Sequence, residues 1–394
     1  MPIGACNPTV CPTWGFRPKD EIQFVPYEFT PQYSGVATLF TSPEGRGQED
    51  GLEQVKGLPE GTTMLGGVLV EPIGANSDAP DGALPASNGP PALMELNRKW
   101  NIPLAQAAGI SSHFVSQTMV TSDKTAAFAG VPKMHVVSSD GSGALMDFAD
   151  GGGCDNTGVH AALRRDVTKL LVCFANDVTI SAKKGDDKAA FARKFAADVR
   201  EVSGLFGGCS DDVPYNQGRT RAQIDENGKP VVDEDGKLVQ GNAVPGSKMN
   251  SYMQVLSREK WDEVIDQAFA WSADNPEGKP LMCHVKDVDV VTNRYQGVFN
   301  RGQKVEIIIL FNTMPDTWKT TVDKVDDGVV GNFSKAHKAS GLLGLGADSD
   351  FPHIATMKLA YPPELVGFLT NLAAYNMLKI LPEVRQLIGS DGGK

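Results

Sequence analysis

The stretch "ADGGGCDNTGVHAALRRDVTKLLVCFAND", residues 149–177, decides how this chain is read. Three glycines directly after Asp150 free the backbone for a sharp turn. Residues 159–165 then carry a short helical pattern. Residues 170–175, LLVCFA, are a continuous apolar run of the length expected for a strand buried on both faces. Loop, helix and strand in this order are the grammar of an α/β sheet flanked by helices. Asp150 itself has two readings. Asp-Gly-Gly is common in plain turns. A carboxylate on a tight loop, with no Cβ at Gly151 or Gly152 to keep a substrate away, is also a candidate for chemistry.

The pattern continues outward on both sides. Upstream, residues 133–137 (KMHVV) read as a strand that ends in the turn cluster Ser138, Ser139, Asp140, Gly141. Downstream, residues 186–202 are expected to form one amphipathic helix with Ala190, Phe191, Phe195 and Val199 on one side. A helix over 257–271, a strand over 282–291 and a very apolar run at 305–311 (VEIIILF) follow, the last being the best central strand. A helix over 364–380 offers Leu365, Phe368, Leu369, Leu372, Tyr375 and Leu378 for burial. The first hundred residues look irregular. Residues 42–91 are loop-rich around one apolar island, MLGGVLV at 64–70, and helical periodicity returns at 92–100 and 104–108. Residues 219–244 carry the turns Glu226-Asn227-Gly228-Lys229 and Glu234-Asp235-Gly236-Lys237 and read as a surface hairpin insertion. The glycine there comes too early for a calcium-binding EF-hand loop. Residues 1–394 are read as a single α/β domain without internal repeats.

Composition removes several function classes. A net charge of −11 with no basic stripe disfavours nucleic acid as a partner and tight electrostatic docking to anionic lipid. The six cysteines, Cys6, Cys11, Cys154, Cys173, Cys209 and Cys283, lack the spacing of a zinc or redox motif and read as reduced structural thiols. The six histidines stand singly, without metal-ligand spacing, so neither a metal nor a cofactor is expected. No basic and apolar leader opens the sequence, and no window approaches 18 uninterrupted apolar residues, so a soluble, cytoplasmic protein is expected.

A nucleophile is harder to place. The serine elbow G-x-S-x-G, in which small neighbours let a serine sit on a strained strand-to-helix turn, occurs nowhere in residues 1–394. The nearest approach, Gly109-Ile110-Ser111-Ser112-His113, has histidine where the second glycine belongs, and no buried strand leads into Ser142. Cys154, beside the Asp150 loop, reads first as a packed thiol and second as a nucleophile.

The opening block, with two others, carries a family resemblance. Asp150, Gly151, Gly152, Asn156, Leu163, Arg164 and the apolar strand after them match in order the aspartate block of the patatin-like acyl hydrolases, in particular the cytosolic phospholipase A and lysophospholipase branch. "IQFVPYEFTPQYSG", residues 22–35, is similar to that family's Phe-x-Phe-Thr-Pro segment, with Phe29, Thr30 and Pro31 at its centre. "PLAQAAGISSHFVS", residues 103–116, resembles its later Gly-x-x-Ser-Ala-Phe segment, and residues 305–318 look like its late central strand and following turn. Together the blocks span roughly residues 20–320.

The resemblance implies a patatin-like fold and a serine–aspartate dyad that needs no histidine. In it Asp150 deprotonates the serine, Gly151, Gly152 and Asn156 form the active-site loop, and an upstream glycine-rich loop supplies the oxyanion donors. It also implies phospholipid or lysophospholipid as substrate, with peripheral membrane contact. The family's serine and oxyanion glycines lie upstream of the Phe-Thr-Pro segment. Residues 1–20 hold neither a serine nor a glycine-rich run. The chain is therefore expected to be the aspartate-bearing, C-terminal portion of such an enzyme, incomplete at its N-terminus. It would be inactive alone and would depend on a serine-bearing segment from elsewhere. The alternative is a noncatalytic lipid-binding or scaffold protein that kept the fold and lost the chemistry.

Overall fold

The computed structural model describes residues 155–175, 180, 182–183, 185–208, 253–273, 278–325, 351–353 and 363–389, together with the strand segments named below. It divides the chain into two compact units. One comprises Met1–Arg165, Ser210–Met253 and Thr292–Phe299, and the other Asp166–Cys209, Gln254–Val291 and Asn300–Lys394.

The strands of the first unit are β1 (Pro2–Cys6), β2 (Phe24–Phe29), β3 (Ser34–Thr41), β4 (Glu53–Gln54), β5 (Met64–Val70), β6 (Ser77–Asp78), β7 (Asn97–Arg98), β8 (Lys133–Val137) and β9 (Gly143–Ala149). Among the described residues, one sheet has the order β4-β3-β2-β1-β9-β8, with β5 also on β3. Its pairs are antiparallel except β3 with β4. The irregular look of the first hundred residues is thus corrected: β1, β2 and β3 lie there, and β1 is held by β9, about 140 residues further on, a pairing no local pattern can announce. The helical periodicity at 92–100 is corrected at Asn97–Arg98, which pair with Ser77–Asp78 as strands, interstrand hydrogen bonds overriding a weak local preference.

Alternation along β2 sends Tyr27 and Glu28 to opposite faces. Tyr27 is buried edge-on to Phe148 of β9, with ring centroids 5.0 Å apart, and burial pushes its phenol up to about 12. Met134 and Val136 of β8 and Met146 of β9 are buried as well. The helix α1 (Val159–Leu163) belongs to the same unit and buries Val159 and Leu163 one turn apart. The ends of the 219–244 segment meet as a short antiparallel pair, β11 (Arg221–Ala222) with β12 (Gln240–Gly241).

In the second unit, β10 (Lys169–Phe174), β13 (Met282–Asp289) and β14 (Lys304–Phe311) form a sheet of order β10-β14-β13. β10 runs parallel to β14, with Leu170 opposite Ile307, and β13 runs antiparallel to it. The very apolar 305–311 run is the central strand, as its composition asks. The expectation for 170–175 is corrected. Leu170, Val172 and Phe174 are buried while Leu171 and Cys173 are exposed, because β10 has β14 on one side only among the described residues.

Helices cover both faces of this sheet. The expected single helix over 186–202 is two, α2 (Lys188–Asp198) and α3 (Arg200–Leu205), broken at Val199, whose φ of −121° and ψ of 47° are not helical. α2 starts where the Asp187 carboxylate accepts from the Ala190 amide at 2.7 Å. Phe191, Phe195 and Val199 are buried, as their spacing requires, and Phe195 packs between Phe311 of β14 and Trp261 of α4 (Glu259–Ala273). On the other face, Ile308 and Leu310 pack against Ile380, in the turn after α6 (Pro363–Lys379), and Leu387 of α7 (Leu381–Leu387). α5 (Asp316–Val325) brings Trp318 to Phe351, Leu365 and Leu372. Leu378 is a correction: at 68% exposure it points away from the side on which Leu365 and Leu372 are buried.

Candidate functional site

Of the residues singled out in the sequence, Asp150, Gly151 and Gly152 lie outside the described residues, as do Ser111, Ser142 and Cys154. The structure describes what stands on either side of them. β9 ends at Ala149, whose backbone is paired with Gly4 of β1, and description resumes at Asp155. Asn156 is exposed on the bend before α1.

Asp155 is the centre of the local arrangement. It precedes a turn in which Gly158 adopts φ of +73°, a left-handed conformation that glycine enters without a Cβ penalty. Its Oδ1 accepts from the Thr157 amide at 2.8 Å, the Thr157 hydroxyl at 2.7 Å and the Gly158 amide at 3.0 Å. Its Oδ2 accepts from the His160 amide at 3.2 Å and faces His160 Nδ1 at 3.1 Å. On the far side of the ring, His160 Nε2 lies 2.9 Å from the carbonyl of Met253. Asp155 and His160 are both buried. Burial alone would raise the Asp155 carboxyl. The His160 ring beside it and hydrogen bonds from His160 and from the Thr157 side chain and amide outweigh that and hold it well below the usual carboxylate range.

A second buried group sits at the other end of α1. Glu28 of β2 accepts at Oε1 from Arg164 Nε at 2.9 Å and also from the Nη2 of Arg164, and at Oε2 from Arg165 Nη2 at 2.8 Å. Arg164 Nη1 donates to the carbonyl of Gln296. A planar guanidinium presents its donors in a fixed fork that matches a carboxylate on one edge and leaves Nη1 for a carbonyl, a geometry the point-like lysine ammonium does not preorganise. Gln296 lies in a tight turn closed by Asn293 and Val298, whose amides each donate to the other's carbonyl. Glu28 belongs to the Phe-Thr-Pro block and Arg164 to the Asp150 block, so two stretches read separately in the sequence meet here, 136 residues apart.

Asp155, His160 and Glu28 escaped the sequence reading. Asp155-Asn156-Thr157-Gly158 is a recognisable helix-start signal. Nothing in the sequence joins His160 to Met253, 93 residues on, or Glu28 to Arg164. In the second unit, His284 Nε2 lies 2.7 Å from Glu306 Oε1, which Lys286 also approaches at 3.2 Å, a paired cluster across β13 and β14. No cluster of three or more His, Cys, Asp or Glu side chains able to hold a metal ion occurs among the described residues. None of their helices is long and apolar enough to cross a membrane. Compared with family models, curated proteins and solved structures, the chain matches none.

Proposed function

We propose that this chain carries the aspartate-bearing portion of a lipid acyl hydrolase with a patatin-like fold, acting on phospholipid or lysophospholipid through a serine–aspartate dyad in which Asp150 is the base. The observation that supports this reading most is the buried Glu28–Arg164 pair, which joins two of the blocks on which the resemblance rests. Also in its favour is the chain order, β9, then Asp150 in the sequence, then α1 and β10.

In the proposed reaction Asp150 takes the proton of a serine hydroxyl supplied by another segment, and the serine oxygen attacks the ester carbonyl. The tetrahedral oxyanion collapses, expelling the alcohol, which receives the proton from Asp150. Water, deprotonated by Asp150 in turn, releases the fatty acid and regenerates the serine. Gly151, Gly152 and Asn156 shape the loop against the substrate.

The test is ester hydrolysis with an activated short-chain ester and with lysophosphatidylcholine. Residues 1–394 alone, lacking a G-x-S-x-G elbow, are expected to give no turnover. Joined to an upstream segment that carries the elbow, they are expected to turn over, and Asp150→Asn should lower kcat by about 10²–10⁴-fold. Turnover by residues 1–394 alone that survives Asp150→Asn refutes the proposal. Vesicle binding without turnover in either form favours the noncatalytic lipid-binding reading.

A further inference from the structure

The two edges of the β10-β14-β13 sheet are finished differently. On the outer side of β13, the Gln267 side chain takes the place of a neighbouring strand. Its Oε1 accepts from the His284 amide at 2.8 Å and its Nε2 donates to the His284 carbonyl at 2.9 Å. A bulge between Val285 and Val288, with Asp287 at φ of +53°, then breaks the ladder. Beyond it the Asp289 carbonyl accepts from the Ser257 amide, and the Val291 amide donates to the Val255 carbonyl. An edge plugged and bulged in this way is closed to a further strand. β10 is finished otherwise. Its ladder to β14 is bounded by the Glu306 amide donating to the Thr168 carbonyl at 2.8 Å and the Asn312 amide donating to the Phe174 carbonyl at 2.9 Å. A parallel ladder uses alternate residues, so Leu170 and Val172 also bond to β14, while Lys169, Leu171 and Cys173 turn their amides and carbonyls outward. These three residues are exposed, and among the described residues their outward backbone groups have no partner.

We infer that the free edge of β10 pairs with β10 of a second copy of this chain, antiparallel, about a two-fold axis at Leu171. This stands apart from the hydrolase reading, since no residue of the Asp150 loop enters it. Register is the first feature that names the occupant. The outward residues are symmetric about Leu171, so Lys169 meets the second copy's Cys173 and Leu171 meets its own equivalent. All three amides and all three carbonyls are then satisfied together. Charge is the second. Lys169 is the one charged side chain of β10 and stands opposite a thiol, so self-pairing sets no like charges against each other. Apolar surface is the third. Leu171 and Cys173 share the face of their register partners Ile308 and Leu310, on which α7 packs. The axis is perpendicular to the sheet, so that face points the same way in both copies, and the exposed Leu171 packs on the second copy's Leu171. Ile388, 64% exposed, lies on the same side, for a Cβ built on the next residue, Gly389, would stand 3.7 Å from Lys169 Nζ. Two three-stranded sheets thus become one of six strands whose outer edges are both closed by Gln267.

Sedimentation and hydrogen exchange on residues 1–394 test this. The mass should rise from 42.1 kDa toward twice that value as the protein is concentrated from about 1 to about 100 µM, the range of a small, weak interface. The amides of Leu170, Val172 and Phe174, which face β14, should be protected at every concentration. Those of Lys169, Leu171 and Cys173 should exchange about fivefold more slowly, or more slowly still, at the upper end of that range. Leu171→Lys sets two ammonium groups against each other at the axis and should leave the protein monomeric at about 100 µM. With Cys173→Ser removing the neighbouring thiol, Leu171→Cys should form a covalent dimer under oxidised glutathione, in yield well above Cys173→Ser alone. Opposed Cα atoms in such a pair stand about 5.5 Å apart, within disulfide reach. A mass of 42.1 kDa throughout overturns the proposal. Fast exchange at 169, 171 and 173 in that monomer leaves the edge to a peptide of another protein, and slow exchange shows it covered by a segment of the same chain. A wild-type dimer that persists in Leu171→Lys and gains no cross-link in Leu171→Cys also overturns it, placing the contact elsewhere. If either variant does not fold, the wild type decides: slowing at 169, 171 and 173 that follows concentration upholds the pairing, and its absence overturns it.

Discussion

A carboxylate taken out of water costs several kcal/mol unless its lone pairs are met, and Asp155 is buried with four hydrogen-bond donors and the His160 ring around it. The carboxyl is held below its ordinary range in the folded chain, whereas in the unfolded chain it titrates near 3.9. As pH falls, the unfolded chain therefore takes up the proton first. The stabilisation Asp155 provides is complete above about pH 4 and is lost as pH drops below it. Asp155→Asn should thus be less stable than wild type at pH 7, by about 3–5 kcal/mol, and the gap should narrow between pH 4 and pH 2. Urea midpoints for the two proteins at several pH values measure this. A gap that stays constant down to pH 2 would mean that the Asp155 charge is not what holds the turn.

Among the elements, the residues that stop a helix matter as much as those that fill it. After α3 the chain turns through Gly207, at φ of +63°, and Gly208. A Cβ on Gly208 would stand 2.6 Å from the Trp261 indole nitrogen. Trp261 is buried and stacked on Phe195, whose ring also meets Phe191 and Phe311, so the indole has nowhere to go. Gly208→Ala should cost about 1–3 kcal/mol by overpacking, read as a lowered urea midpoint with an unchanged m-value. This close approach also marks where the sequence stops being legible. The apolar run of β14, a strand at β10 and the spacing of Phe191, Phe195 and Val199 announce themselves, the first two as continuous apolar runs of strand length and the last as helical periodicity. Exposure of Leu171 was not announced, because being at a sheet edge depends on neighbours far away in the chain. Nor was the break at Val199, which interrupts a continuous apolar pattern. At the candidate site, Asp155-Asn156-Thr157-Gly158 is a local signal and could be read. The partners Met253 and Glu28 could not, since a hydrogen bond across some 90 to 140 residues leaves no local pattern.

At the scale of the whole molecule, charge governs how an enzyme of the proposed kind meets its lipid. Asp and Glu outnumber Lys and Arg by 48 to 37, leaving −11. A membrane rich in anionic lipid carries a negative surface potential of tens of millivolts, and the protein's net charge is repelled by it over about one Debye length. That length is about 30 Å at 0.01 M salt and about 3 Å at 1 M, so the repulsion is strong at low salt and nearly absent at high salt. Apolar contact has no such dependence and, if anything, strengthens with an excluded salt such as sulfate. If lipid is the substrate, co-sedimentation should show more protein on phosphatidylcholine vesicles than on phosphatidylserine vesicles at about 0.01 M salt. The difference should close by about 1 M, through a rise in the phosphatidylserine arm with the phosphatidylcholine arm flat. A preference for phosphatidylserine at low salt that salt abolishes would mean that a local basic surface, and not the net charge, sets the encounter. Absence of binding to either vesicle at any salt would remove bilayer lipid as the substrate, leaving monomeric lysophospholipid as the ester to assay.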